Sequence, residues 1–443
     1  MIGRNDGVQL KTPVAAFTVH GCVASVCSVL PVWVMLLSTP ALQAHELYVP
    51  AGKSIAAALK LAKAHDVINV ERGYYEEHLV IDKPLTLRGE NRPTISGGES
   101  GDVIRIIAPD VTIDGFIIRD SGSDLTAQNA GIYIVPGAQR AIIKNNDLAY
   151  TLFGLWIEGV NDVRIVNNLI TGKRDLLSSQ RGNGIQLYNT NGAQIIGNNI
   201  SFARDGIYVD VSHHALFRNN KLHQLRYGTH YMNSYYNVWE GNESYLNRSG
   251  LALMETRNQI VRNNIAWGNT DHGIMLRTLQ DSIIENNVVA GNGKGFFIYD
   301  AEYNVIKNNL VIGNRIGIHL WAGSYNNEVE GNDFILNQNQ VRYVASRDVH
   351  WGGKTGNYWS NYVGWDSDGD GIGDVPYEAN DVVDRLSWRY PYVKLLLNSP
   401  AVQTLRMVSR QFPLWRAPSI VDAHPKMRPA RTDWSQWLEK IRH

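Results

Sequence analysis

A repeat of 22 to 23 residues dominates the sequence and limits the folds it can adopt. A Gly followed by alternating apolar residues begins each of nine copies, and successive copies are 22 or 23 residues apart, except for one interval of 30. The nine glycines are Gly131, Gly154, Gly184, Gly206, Gly228, Gly250, Gly273, Gly295 and Gly317. A fixed period of this length with short strands is typical of a solenoid. We therefore predict an all-β fold, a right-handed parallel β-helix (solenoid) with an N-terminal helical cap and a helical C-terminal extension.

Asn-Asn pairs recur with the same period, as at Asn145-Asn146 and Asn308-Asn309. Equivalent residues of stacked coils lie about 4.8 Å apart. The paired amides are therefore expected to form ladders along the stack, each hydrogen bond contributing roughly 1 kcal/mol net. The residue before each pair alternates in charge, as in Arg218, Glu240 and Arg262. Opposite charges at one-coil spacing attract, so this column is interpreted as control of register.

Residues 1–44 have the order of a secretory signal peptide. Arg4 and Lys11 precede an apolar run from Val14 to Leu37, and small residues end the segment at Ala44. This order predicts export, with cleavage after Ala44. The apolar run is also long enough to span a bilayer, so an uncleaved anchor is the alternative. Both cysteines of the chain lie in this leader, which leaves soft-metal chemistry in the rest of the chain to Met and His.

The overall charge is balanced, with 42 basic and 42 acidic residues. A nucleic-acid-binding surface needs a strong basic excess, so the composition argues against nucleic acid as a partner. The interval of 30 contains a basic stretch at 173–181, which we expect to protrude as a loop. Such a loop could contact a partner, and a tolerated insertion is the alternative.

Four segments follow from these patterns: a signal peptide (1–44), the β-helix with its N-terminal cap (45–345), a Gly/Asp/aromatic segment (346–384) and a C-terminal helix with an extended tail (385–443). Ser54 is the predicted N-cap of the first helix, and Ser399 is the predicted N-cap of the last, with Pro400 at its first position. The last helix could cap the solenoid or dock on a partner. Prolines after Phe412 predict an extended tail without its own core.

A short aspartate-rich loop lies in the segment 346–384. Aspartates at positions one, three and five followed by Gly surround a hard cation in calcium loops, and the carbonyl at position seven adds a ligand. The alternative is an acidic turn, since Tyr377 stands where a full loop has Glu. The predicted calcium ligands are Asp366, Asp368, Asp370, the Ile372 carbonyl and Asp374.

Methionine and histidine cluster at the outward positions of three consecutive coils. Thioether and imidazole together form a ligand set that suits Cu(I). An apolar stripe covered by a loop or partner is the alternative, because Met fills gaps well. A second His/Met pair lies in the tail. The candidate copper ligands are His230, Met232, Met254, Met275 and His272, with the tail pair His424 and Met427.

Parallel β-helices also carry polysaccharide lyases, hydrolases and epimerases. Glycoside hydrolysis needs two carboxylates that face each other across the scissile bond. Here Glu158 and Asp210 stand two coils apart in the outward columns. Exposed Tyr and Trp could stack on sugars, so a β-helical polysaccharide lyase, hydrolase or epimerase is the alternative function.

Several local stretches resemble the NosD family of periplasmic β-helical maturation proteins. The resemblance extends over nearly all of the chain after the leader. The stretches are His230-Tyr-Met232, Ala252-Leu-Met254, Asp271-His-Gly273, Phe297-Ile-Tyr299, Gly317-Ile-His319 with Ala322-Gly-Ser, Gly356-Asn-Tyr-Trp-Ser360, the aspartate loop, Tyr390-Pro391 and Asn398-Ser-Pro-Ala401.

This resemblance implies a non-enzymatic role in assembly of the copper–sulfide centre of nitrous oxide reductase. The implied partners are an ABC-type permease and ATPase, a copper chaperone lipoprotein and the reductase. The implied location is the periplasm, with association to the inner membrane through a partner. The chain has no Gly-x-x-x-x-Gly-Lys-Ser/Thr motif, so ATP hydrolysis would belong to the partner ATPase. The copper ligands given above come from the outward columns, since the resemblance supplies none.

Overall fold

Three parallel β-sheets, linked coil after coil, form a parallel β-helix. The computed structural model describes residues 45–343, 349–379, 390, 392, 396, 399–411 and 420–442. Each full coil adds one strand to each sheet, and each strand pairs in parallel with its equivalent in the next coil. The leader 1–44 and its predicted cleavage site lie outside the described residues. The predicted fold class is confirmed.

We number the sheets 1 to 3. Sheet 1 has 14 strands: Glu46–Val49, Val67–Val70, Thr86–Gly89, Thr112–Asp114, Ile142–Lys144, Arg164–Val166, Gln194–Ile196, Leu216–Arg218, Val238–Glu240, Ile260–Arg262, Ile283–Glu285, Val305–Lys307, Glu328–Glu330 and His350–Trp351. Sheet 2 has 12 strands: Leu79–Ile81, Ile104–Ile106, Ala130–Ile134, Phe153–Glu158, Ile185–Tyr188, Asp205–Asp210, Tyr227–Met232, Ser249–Arg257, His272–Gln280, Lys294–Tyr299, Ile316–Leu320 and Asn339–Tyr343. Sheet 3 has 13 strands: Tyr74–Glu76, Thr94–Ser96, Ile117–Arg119, Asp147–Thr151, Leu169–Gly172, Asn199–Ser201, Lys221–His223, Glu243–Tyr245, Ile265–Trp267, Val288–Ala290, Leu310–Ile312, Asp333–Ile335 and Tyr358–Trp359.

The hydrophobic core fills the space between the three sheets. The residue directly after the repeat Gly points inward, so Ile132, Leu155, Ile185 and Ile207 pair in register and are fully buried. Alternation along each strand places the next side chain outside. Burial of one such side chain contributes roughly 1.5–3 kcal/mol. The alternating pattern after each Gly therefore fixes which face of the strand enters the core.

The two residues of each Asn-Asn pair have different roles. The second Asn is buried and donates its side-chain N–H to the amide oxygen of the next coil, at 3.1 Å from Asn264 to Asn287 and 2.9 Å from Asn287 to Asn309. The first, such as Asn263, takes a positive φ of 56° at the corner, a conformation that Asn tolerates. The predicted amide ladder is confirmed. The alternating charge column is confirmed as well, because Glu240 lies 2.7 Å from Arg218 and 3.1 Å from Arg262.

Helix α1 (Ile55–Leu61) closes the N-terminal end of the core. Ser54 caps it, accepting the Ala57 N–H at 3.1 Å, and Ile55 and Leu59 are buried. Lys83 donates to the carbonyls of Leu59 and Ala62 at the other end of the helix. Both ends of this short helix are thus satisfied by side chains, which fits its predicted role as a cap.

The C-terminal region packs against the last coils. Strands His350–Trp351 and Tyr358–Trp359 pair in parallel with sheets 1 and 3, so the β-helix continues past residue 345, where we predicted its end. Strand Tyr377–Ala379 pairs antiparallel with Ile420–Asp422. Helix α2 (Pro400–Gln411) begins after Ser399, as predicted, and helix α3 spans Trp434–Lys440.

The prediction of an extended tail is wrong for residues 420–442. Helix α3 packs Trp437, Leu438 and the following Ile441 on the outer face of sheet 3, against Leu310 and Ile312. An apolar outer face on sheet 3 is the reason that this segment folds back onto the solenoid. In the described part of the chain, no helix has both the length and the apolar composition needed to cross a bilayer.

Candidate functional site

The candidate copper ligands lie on the outer face of sheet 2. The residues two positions after successive repeat glycines pair in one column, which runs His230, Ala252, Met275, Phe297 and His319. The sheet therefore brings His230 and Met275 to one face, two coils apart. Met232 and Met254 occupy the neighbouring outward column, in consecutive coils.

Met254 and Met275 are covered by their neighbours on this face. Only 8% and 7% of their surfaces are exposed, and they form an apolar cluster with Ala252, against which Tyr227 and Phe297 pack. These methionines are buried although they occupy outward positions, because aromatic side chains one coil away pack against them. The apolar stripe that we considered as the alternative describes their contacts in this structure.

His230 is held by a buried ion-pair network. Its Nδ1 lies 3.0 Å from the Asp205 Oδ2, and the Arg226 Nε donates to the Asp205 Oδ1 at 2.8 Å. Burial alone would raise the pKa of Asp205, but the hydrogen bonds from His230 and Arg226 outweigh burial and lower it. The carboxylate thus stays ionised and fixes the orientation of the imidazole, as carboxylates commonly do for metal-binding histidines.

His272 reaches the same face, with its ring 4.9 Å from that of Phe297. The Lys294 ammonium donates to Nε2 at 3.0 Å, and Nδ1 lies 3.0 Å from the Ser249 hydroxyl. Burial, followed by the Lys294 charge, lowers the pKa of His272 to about 4. The imidazole is therefore neutral at pH 7, the form that binds metals, but Lys294 must move before Nε2 can act as a ligand.

Met232 contacts an aromatic hydroxyl. The Tyr208 hydroxyl lies 3.9 Å from the Met232 sulfur, and Tyr208 also packs edge-on against His230. The Met232 thioether is thus linked through Tyr208 to the imidazole of His230, another candidate ligand.

His319 lies two residues after the repeat Gly317, in the same outward column, and was not among the predicted ligands. It is 3% exposed, and neither ring nitrogen has a hydrogen-bond partner among the described residues. Burial, followed by the Arg342 charge, lowers the pKa of His319 to about 4. Its ring packs edge-on against Phe297 and Trp321. Only its spacing from the other column members could have indicated it from sequence.

The tail pair lies far from this group. The His424 imidazole contacts the Gly353 carbonyl at 3.1 Å, and the Met427 N–H donates to Gly371. Five strand steps separate the coil of His230 from the coil that precedes Gly353. The separation along the stack is therefore on the order of 24 Å, so one ion cannot bind both groups.

Three of the predicted calcium ligands converge. One carboxylate oxygen each of Asp366, Asp368 and Asp370 lie within 4.8 Å of one another. Asp366 accepts the N–H groups of Gly369 and Gly371, and the Gly371 bond is the first cause of its lowered pKa. The other two predicted ligands differ. The Asp374 carboxylate instead accepts the Ser367 N–H at 2.8 Å, and Ile372 pairs with Lys426 in an antiparallel β-bridge whose hydrogen bonds are made by Gly371 and Gly373.

The carboxylates considered for sugar chemistry do not form a pair. Tyr188 occupies the position between Glu158 and Asp210 in the register of sheet 2. The Glu158 carboxylate accepts the Tyr133 hydroxyl at 3.0 Å and the Trp156 indole N–H at 3.3 Å. A single Glu158 oxygen, Oε2, accepts both hydrogen bonds and so holds two aromatic side chains.

Comparison with known proteins decides the family. Residues 166–364 match the family described as "Periplasmic copper-binding protein (NosD)". A protein named "Probable ABC transporter binding protein NosD" from Stutzerimonas stutzeri is 40% identical over 394 residues, covering 80% of this chain and 85% of that protein. The chain belongs to the NosD family. A protein of the same name from Pseudomonas aeruginosa is also 40% identical, over 371 residues, covering 80% of this chain and 87% of its own.

Solved structures share the fold of this NosD-family protein. The surface protein and adhesin PfbA of Streptococcus pneumoniae superposes with a TM-score of 0.52 at 13% identity, covering 66% of this chain and 94% of that one. The A-module of the mannuronan C-5 epimerase AlgE6 of Azotobacter vinelandii gives 0.44 at 14% identity, covering 69% and 92%. At 13% identity the likeness to PfbA concerns the architecture alone.

Proposed function

We propose that this protein is a periplasmic, non-enzymatic accessory factor that carries copper for assembly of the copper–sulfide centre of nitrous oxide reductase. The supporting observation is the group of thioethers and imidazoles on one face of sheet 2 in a member of a family described as copper-binding. Copper is the cargo of this site, and it leaves with the partner that receives it.

The proposed ligands are Met232, Met254, Met275 and His230, with His272 joining when Lys294 withdraws. Soft thioethers and neutral imidazole prefer Cu(I) to harder divalent ions. Methionine side chains are long and unbranched, so rotation about their bonds can present the sulfurs without movement of the strand. Burial beside Tyr227 and Phe297 supports this assignment, because an apolar surround disfavours a free divalent ion.

The proposed partners are an ABC-type permease and ATPase, a copper chaperone lipoprotein and the reductase. The relatives' name, ABC transporter binding protein, supports the first of these. Helix α2 offers a docking surface for the permease, since Leu405, Met407 and Val408 are 42%, 63% and 44% exposed. This contact would associate the protein with the inner membrane.

Competition for Cu(I) tests the ligand assignment. The purified protein is titrated against a mild Cu(I) chelator beside the M232L/M254L double variant and the M407L control. Leucine conserves volume and removes sulfur, so the fold is retained. We expect affinity to fall about tenfold or more in the double variant and to stay unchanged in the control, which removes an exposed thioether. An unchanged Cu(I) affinity of the double variant would show that Met232 and Met254 are not copper ligands.

Metal analysis of the exported reductase tests the role itself. A strain lacking this gene should produce a reductase deficient in copper, and the intact gene should restore the metal. A fully loaded reductase from the deletion strain would contradict the maturation proposal. Incubation of the purified protein with uronate polysaccharides, followed by detection of unsaturated products, would reveal an enzyme instead.

A further inference from the structure

A cavity of about 520 Å³ lies beside the starting ends of the central sheet 2 strands, and arginines line it. Arg181, Arg204, Arg226 and Arg248 come from four successive coils. Ser178 and Ser179 add hydroxyls from the segment inserted at the interval of 30. The cavity has the volume of an ordinary small-molecule site, and none of its lining residues is acidic.

The stacking of these arginines departs from the rule that the rest of the solenoid follows. Arg204, Arg226 and Arg248 each stand two residues before a repeat Gly, so they lie about 4.8 Å apart along the stack. The column of Arg218, Glu240 and Arg262 on sheet 1 alternates in sign and forms ion pairs. Like charges at this spacing destabilise a sheet. Proteins keep such unfavourable arrangements of like charges mainly at functional sites.

The positive charge at the cavity is only partly neutralised. Asp205 lies beneath it, fully buried, and is bound by Arg226 and His230. Within the described part of the chain, the Arg204 Nε is buried without a hydrogen-bond partner, 3.9 Å from an Asp205 oxygen. The Arg248 guanidinium forms no hydrogen bond with any residue that the structure describes, although its charge helps to lower the pKa of the nearby Asp271 carboxyl. The four guanidinium groups therefore outnumber the two carboxylates, Asp205 and Asp271, that interact with them.

The inserted segment is shaped to form a wall of the cavity. Lys173, which we expected in a protruding basic loop, is 4% exposed and binds the Ser121 carbonyl at 2.8 Å. Arg181 donates to the carbonyls of Leu176 and Arg174, both at 2.8 Å. These bonds close the segment on itself and hold it against the coils, which argues against a loose surface insertion.

We propose that this arginine cavity binds a small polyanion bearing phosphate- or sulfate-type oxygens. Guanidinium forks match the geometry of such oxyanions and bind them through paired hydrogen bonds. Several guanidiniums around one cavity favour an anion with more than one negative charge. The proposal rests on the arginine stack alone and does not require that copper binds on the same sheet.

Calorimetric titration of the purified protein with inorganic pyrophosphate, phosphate and sulfate tests the proposal. We expect pyrophosphate to bind at one site, more weakly as NaCl is raised. The R204Q and R248Q variants should each weaken binding about tenfold or more, since each loses charge-assisted hydrogen bonds. The control R164Q removes an equal charge from an exposed position on sheet 1 and should leave affinity unchanged.

Three outcomes would overturn the proposal. The first is that none of the three anions binds to the wild-type protein. The second is that the R204Q/R248Q double variant, shown to be folded by circular dichroism, binds pyrophosphate as the wild type does. The third is that the protein binds an oligoglutamate peptide but none of the three small anions. That result would assign the cavity to an acidic protein partner.

Discussion

Asn264 makes its side-chain hydrogen bonds to the coils on both sides of its own. Its amide oxygen accepts from Asn242 at 2.9 Å, while its N–H groups donate to Asn287 at 3.1 Å and to the Trp239 carbonyl at 2.9 Å. All of these groups are buried, so water cannot replace a lost partner. One residue therefore ties three coils together.

We expect Asn264→Ala to destabilise the protein by about 2 kcal/mol or more, because several buried polar groups lose their partners. Asn263→Gly is the matched control, since Gly adopts the positive φ of Asn263 freely. Urea unfolding of both variants measures the difference. Equal losses of stability in the two variants would contradict the ladder as the source of the effect.

His319 should make the stability of the protein depend on pH. Its folded pKa of about 4 lies below the value of about 6.5 in an unfolded chain. The unfolded state therefore binds more protons between these values, and stability falls as pH decreases through that window. His319→Phe removes this contribution, so its stability relative to the wild type should rise from pH 7 to pH 4.5. Exposed His214, changed to Phe, is the control, and parallel curves for H319F and wild type would exclude this role.

At the scale of elements, short segments are held by contacts to the coil beside them. The aspartate loop is an example, because the Gly373 N–H donates to Pro425 and Gly371 accepts the Met427 N–H. The loop and the returning tail thus support each other. Neutralising the repulsion among its three converging carboxylates would stabilise both.

We predict that Ca²⁺ protects this part of the chain. At a hundredfold excess over its dissociation constant, a bound ion stabilises the folded form by about 2.7 kcal/mol. Amide hydrogen exchange of the segment around Asp366 and of residues 420–427 should slow on addition of CaCl₂. Asp368→Asn should abolish the effect, whereas Asp281→Asn, at an exposed turn on another coil, should preserve it. The same protection without Ca²⁺ would mean that the loop is an acidic turn.

At the scale of the whole molecule, the amide ladder ends on a residue of the returning tail. Asp422 is fully buried and accepts the Asn357 backbone and side-chain N–H groups, at 2.9 and 3.1 Å, and the Trp359 indole N–H at 2.9 Å. A solenoid exposes unpaired groups at its last coil unless a cap satisfies them. Asp422 supplies that cap.

Asp422→Ala should therefore loosen the last coils while the central coils remain intact. Each donor left unpaired costs about 1–3 kcal/mol, so the terminal unit should open before the rest. Limited proteolysis and hydrogen exchange near Asn357 would detect this opening. Val421→Ala, at an exposed position of the same strand, is the control. Uniform destabilisation along the whole solenoid would contradict the local role.

The candidate copper ligands were predicted from the sequence in their positions but not in their contacts. The period assigned His230, Met232, Met254 and Met275 to one face of one sheet, and the register has them there. It did not indicate that Tyr227 and Phe297 cover two of the methionines, nor that Lys294 binds His272. Those contacts depend on side-chain directions between coils, which spacing along the chain leaves open.

The sequence by itself determined the β-helix, the inward faces of its strands, the Asn ladder and the Ser54 cap. Each of these depends on a local pattern that acts within one coil or between a coil and its neighbour. Tertiary structure alone decided the return of the tail, since Asn357 and Asp422 are 65 residues apart and no period relates them. It also decided that Arg181, from the inserted segment, joins three stacked arginines at one cavity. Both features result from packing between distant parts of the chain. The burial and the charge environment of a side chain depend on neighbours that the repeat does not specify.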